Sequence, residues 1–314
     1  MTEFKNRIFM HGCGFKFLFC SIQPAIFERM DEQKEVNALL NLIDDPDHEI
    51  YEAVSDRIIT YGLPMIPNLE HLWETTADSA VQERIELLIH RLYFSGLNAD
   101  FKQWDEAGHH ELMPALLLIA KFLYPELQAA KVLHHVERLR RNIWLEINNY
   151  LTPLEQVHII NSIIYNYIGI KGTSNNTDRP NEYLLPQILE SKKGNQTGIG
   201  ALYLLLVDML DIPVRLMRIP HQFVLGYCKP GLGDATGNHD VDFFIEPSLG
   251  QVFTHTDLHH YLTKIAVENS PELFRPQSNR EVIRQVLTDF RECFNNDLQK
   301  IQYQELETLI RLLN

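Results

Sequence analysis

The sequence predicts an α+β protein that is mostly helical: a stack of N-terminal helices, a core that sets one interior helix against a small antiparallel sheet, and C-terminal helices. Three observations carry this. A helical period runs almost unbroken from Asp31 to about Tyr150. The stretch Gln196–Leu210 is apolar nearly all round, with Asp208 its one charge, and a helix apolar on every face belongs in the interior of a domain. Three short strand-like runs follow it, which is the layered arrangement of an α+β core.

The elements follow in order. Val36, Leu39, Leu40 and Ile43 keep the 3.6-residue period until Asp44-Asp45-Pro46-Asp47 breaks it. A second helix spans His48 to Tyr61, closed by Gly62 and Pro64; a third covers Ile66–Thr75, and a longer one Ser79–Phe94. Paired helices with short breaks suggest a HEAT-like stack of irregular period. Residues 112–124 and 126–148 continue the helical run. Thr152-Pro153-Leu154-Glu155 is a capped helix start, with Thr152 as N-cap and Glu155 at the third position. The loop Gly172–Pro180 is the strongest linker signal. Beyond the interior helix, Val214–Ile219, Phe223–Tyr227 and Asp242–Ile245 read as strands, and Ser278–Leu313 returns to helices, the first capped by Asn279. The expected segments are an atypical extension over 1–29, a helical repeat-like domain over 30–150, the mixed core over 151–270 and a helical tail over 271–314.

Composition narrows the function. The chain has 314 residues and a net charge of −14, which argues against a nucleic-acid backbone as the main partner. The local basic run from His134 to Arg141 reads as the solvated face of a helix. Cys13, Cys20, Cys228 and Cys293 are too scattered for a disulfide framework, so reduced thiols in a cytoplasm are expected. In residues 1–29, Lys16 and His11 interrupt any signal-peptide core and Cys20-Ser21 is a poor cleavage site. Met30 opens an ordinary helical start, and the folded protein is expected to begin there. No membrane partner is expected, since no later segment reaches the ~18 apolar residues of a span. The histidine pairs and the group His255, His259, His260 set no two ligands on one face with a third nearby, so neither a metal nor another cofactor is expected. Oligomeric state has no signal in the sequence.

The run N-E-Y-L-x2-Q-I-L-E-x3-G-N from Asn181, the helix ending in L-x-I-P-V, the P-x2-F of Pro220 to Phe223 and the F-I-E-P ending at Pro247 resemble the transglutaminase-like superfamily. Within it they are most similar to the bacterial SirB-type proteins, which join a papain-like core to helical repeats. The resemblance is specific over about 180–262, weaker at Leu273–Asn279, and compatible but unspecific over the helical half. It implies a cysteine at the start of the buried helix, a histidine on the next strand and an aspartate on the strand after.

Each implied position departs from that pattern. Counting back from Ile212-Pro213, the cysteine position falls on Gln196, and SirB-type proteins generally lack the cysteine too. Where the family pattern has Pro-Gly-His-Phe, this chain has Pro220-His221-Gln222-Phe223, which puts Gln222 in the histidine's place. His221 then faces away by strand alternation, unless a bulge at Pro220 turns it back. The aspartate becomes Glu246. An amide cannot attack an acyl carbon, and Thr197, without a partnered base, is expected to cap the helix instead. Cys228 and Cys293 are expected to be buried structural thiols. Gln196, His221, Gln222 and Glu246 are therefore degenerate candidates. The expected function is non-enzymatic binding of a protein or peptide partner; the alternative is a cysteine-protease-like hydrolase or acyltransferase with another nucleophile.

Overall fold

The computed structural model describes residues 34–314, apart from 109, 149, 175–177, 221, 230–240 and 269. The atypical extension expected over 1–29 and the candidate His221 lie outside the described residues. Two compact units divide the chain between Leu92 and Tyr93.

In the first unit, a helical stretch over 34–40 is followed by α1 (His48–Tyr61), α2 (Ile66–Thr75) and the opening of α3 (Ser79–Glu106). Asp47 caps α1 by accepting the Glu49 N–H, and Gly62 ends it at a φ of 74°, a region open to glycine at no steric cost. Ile43, Val54, Ile58, Leu69, Ile85 and Leu88 form the buried interior. Arg84 fastens the turn after the first stretch, donating to the carbonyls of Ile43 and Asp45 at 3.2 and 2.8 Å.

The second unit is built around one helix. Its elements are the remainder of α3, α4 (Leu112–Lys121), α5 (Ala129–Glu146), α6 (Pro153–Asn161), α7 (Leu185–Ser191), α8 (Gln196–Asp208), α9 (His255–Lys264), α10 (Asn279–Arg291) and α11 (Lys300–Leu312). Between them lie β1 (Lys171–Gly172), β2 (Lys193–Gly194), β3 (Val214–Met217), β4 (Val224–Cys228), β5 (Val241–Glu246) and β6 (Gln251–Phe253). Strands β3 to β6 form an antiparallel meander in sequence order, and β1 pairs parallel with β2. Every residue of α8 from Gln196 to Val207 is buried. The helix packs against α4, α5, α7, α10 and β3. That is why α4 and α5, which join the N-terminal helices by their sequence period, bury their apolar faces in the core of this unit.

The sheet lies between two apolar layers. Leu225, Tyr227 and Ile245 face the core around α8, while Val224, Cys228 and Phe244 join Leu258 and Leu262 of α9 on the other side. The central strand β4 is accordingly buried at all five residues. A bidentate ion pair from Arg280 to Asp105 ties α10 to the end of α3.

The capping box of Thr152 and Glu155 forms as its spacing predicts. Several boundaries differ. Helix α3 continues past Phe94 to Glu106, because Leu97, Phe101 and Trp104 keep its buried face supplied. Ser278, rather than Asn279, caps α10, in a box with Glu281. The strands are short, and the added β6 is three residues long with no alternation to mark it.

Two glycines let α8 sit this deep. A Cβ on Gly198 would lie 2.3 Å from the Glu182 carbonyl oxygen, and one on Gly200 would lie 2.4 Å from the Phe223 ring. A backbone oxygen has no rotamer to escape into. Gly198→Ala is expected to lower stability by roughly 3 kcal/mol, read from the urea midpoint. An unchanged midpoint would show that the packing at this end of α8 is looser than described.

Candidate functional site

A cleft of about 550 Å³ opens at the N-terminus of α8. Its walls come from β3 and the residues after it, from the 270–277 segment, and from α10. Gln196, Thr197, Gln222, Gln285 and Asp289 all line it.

The helix start explains how these groups are held. Asn195 takes extended geometry and accepts the Gly198 N–H at 2.8 Å, so the cap is Asn195. Its own N–H is taken by the Glu182 carbonyl. The expectation that Thr197 caps the helix is therefore corrected: Thr197 sits one position past Gln196, inside the helix, and its hydroxyl is free to turn elsewhere. It donates to Asp289 Oδ2 at 2.7 Å. Gln285, one turn earlier on α10, donates to the other oxygen, Oδ1, at 2.7 Å.

Gln196 and Gln222, the residues at the expected cysteine and histidine positions, do meet. The Gln196 Nε2 donates to Gln222 Oε1 at 2.9 Å, and the Phe223 N–H reaches Gln196 Oε1 at 3.4 Å. Both ends of the buried Gln196 amide are thereby engaged, and the backbone donor fixes which end is oxygen. Gln222 is exposed at the cleft.

Glu246 is not brought to this place. Its carboxylate folds back to accept the N–H groups of Ser248 and Leu249 at 2.9 and 3.1 Å, closing the turn between β5 and β6. The same turn is held from outside by Tyr165 and Asn161, which donate to the carbonyls of Pro247 and Gly250. Tyr165 belongs to a π-helical turn at Ser162–Tyr167 that continues α6. A carboxylate one methylene longer than aspartate reaches these backbone donors, and they keep it from the cleft.

The two described thiols, Cys228 and Cys293, are buried. Burial pushes Cys228 up to about 11, against a small lowering by Arg215. Burial likewise pushes Cys293 up to about 12. Neither stands at a helix N-terminus or against a base. Among the described residues no group of three His, Cys, Asp or Glu side chains is placed to hold a metal ion. His255 instead meets the Val241 carbonyl at 2.7 Å and packs on Phe244.

The Thr197–Asp289–Gln285 group was not legible in the sequence. Asp289 reads as an ordinary solvated charge on an amphipathic helix. Its partner Thr197 lies 92 positions away. Burial raises the Asp289 carboxyl above the usual carboxylate range, the hydrogen bonds from Thr197 and Gln285 pull it down, and the Glu292 charge raises it further.

Two predictions follow from these environments. The folded chain holds the Asp289 proton more tightly than the unfolded chain does. This group's contribution to stability is therefore complete below the ordinary carboxylate pKa and is lost as pH rises through the raised value. Asp289→Asn is expected to flatten that part of the profile, measured as urea midpoints between about pH 4 and 8; an unaltered profile would contradict the buried placement. Cys228 and Cys293 are expected to react with iodoacetamide on the order of 100-fold more slowly in the folded than in the unfolded chain at neutral pH, by peptide mapping. Fast labelling of either in the folded chain would mean an activated thiol.

A family model described as the transglutaminase-like superfamily matches residues 130–288, which hold α5 through most of α10. No curated protein and no solved structure matches the chain. The match spans just over half of the 314 residues and includes the buried helix, the sheet and most of the cleft lining, with Asp289 and Glu292 just past its end. The chain belongs to the transglutaminase-like superfamily.

Proposed function

We propose that this chain is a transglutaminase-like protein without thiol chemistry, whose cleft binds a protein or peptide partner. The observation that carries this reading is the side chain at the N-terminus of α8. In place of a sulfur nucleophile stands Gln196, its amide tied to Gln222 and to the Phe223 backbone. An amide so engaged is neither a nucleophile nor a base. The carboxylate that would orient a base, Glu246, is spent on a turn. What remains is a polar cleft with an apolar wall of Leu216, Met217 and Leu273, a composition suited to binding a peptide. We place the chain in the SirB-type branch on its sequence motifs and read its N-terminal helices as a HEAT-type stack. A cytoplasmic location accords with its reduced thiols; no helix among the described residues is long and apolar enough to cross a membrane.

The second reading, a hydrolase or acyltransferase with another nucleophile, can draw among the described residues on the Thr197 hydroxyl at 2.7 Å from the Asp289 carboxylate. Assays with p-nitrophenyl esters and peptide amides separate the two. The binding reading expects no turnover above buffer, and retention of a subset of an immobilised random-peptide array that is lost in Arg218→Trp, which fills the cleft from an exposed wall position. Turnover abolished by Thr197→Ala in a folded variant would establish the second reading instead.

A further inference from the structure

The Asp289 carboxylate is part of no ion pair formed by the described residues. It lies partly buried on the wall of the cleft, and each oxygen accepts one bond, from Thr197 and from Gln285. A carboxylate oxygen accepts two, so one position on each remains. Buried charges in proteins are normally paired, and an unpaired one is costly. Among the described residues no cation bears on Asp289; the one charge that does, Glu292, is negative. The cleft's two arginines are otherwise placed. Arg218 is exposed, and Arg284 donates to Asn314.

We propose that Asp289 is a specificity site within the cleft, taking the guanidinium of an arginine side chain on the bound peptide. This rests on the reading of the cleft as a peptide-binding site. Several features favour a guanidinium over an ammonium. It carries five donors against three, and the acceptors at this place are several: the two oxygens of Asp289 and the side-chain oxygen of Gln285 beside it. It is planar and weakly hydrated, so it enters a half-apolar cleft at lower cost. Thr197 and Gln285 hold the carboxylate in place from two different helices, so little side-chain freedom is lost when it is engaged.

The test uses the full chain on a peptide array in which each retained arginine-containing sequence is matched by versions with citrulline, lysine or norleucine at that position. Citrulline keeps the shape of arginine and removes its charge, so the wild-type protein alone suffices even where a variant folds poorly. Arginine peptides are expected to be retained about tenfold or more over their citrulline partners, and Asp289→Asn is expected to erase that margin, read as the ratio of arginine to citrulline retention within each protein. Equal retention of arginine and citrulline, a margin that survives Asp289→Asn, or lysine held as well as arginine would overturn the assignment while leaving peptide binding in place. Retention of no peptide at all would remove the binding reading and this inference with it.

Discussion

Everything in the larger unit depends on a helix with no solvent face. α8 is buried along Gln196–Val207 and its first turn faces the cleft, so the N–H groups there find partners in the protein or in the cleft. Asn195 supplies one, and the Glu182 carbonyl takes the N–H that precedes the helix. Gly198 and Gly200 let the backbone of Glu182 and the ring of Phe223 approach to distances that a methyl group would forbid. The side chains at this end are therefore placed by the packing of five neighbouring elements, and they have little freedom of their own.

That constraint decides what each polar group at the helix start can do. Gln196 points to the segment after β3 and joins Gln222 in an amide pair; Thr197, next along the helix, points to α10 and joins Asp289. Two adjacent residues thus tie α8 to two different walls of one cleft. The carboxylate of Asp289 is held by hydroxyl and amide donors, and none of the described residues supplies it with a counter-ion. By contrast, the acid at the end of β5 accepts from the backbone of its own turn, and burial raises the Cys228 and Cys293 thiols.

Several features were legible in the chain before any tertiary structure. The apolar periphery of Gln196–Leu210 announces an interior helix, since no other environment tolerates it. The Thr152–Glu155 spacing announces a capping box, because both partners lie within one turn. The motif register singles out Gln196 and Gln222, whose side chains the fold brings together. Strand ends and β6 were harder to read: three residues buried by their neighbours carry no period of their own.

Other properties belong to the tertiary structure alone. Whether Glu246 faces the cleft depends on the backbone donors of Ser248 and Leu249, and on a turn clamped by Tyr165 from 82 positions away. Whether Thr197 caps or reaches outward depends on Asn195 having taken the cap. That Asp289 lines a cleft, when its own helix marks it as a surface charge, depends on where α10 crosses the start of α8. Local pattern decides which residues are buried, because burial follows from the repeat of the element that carries them. It does not decide which polar groups meet, because that requires segments far apart in the chain to be packed into one place.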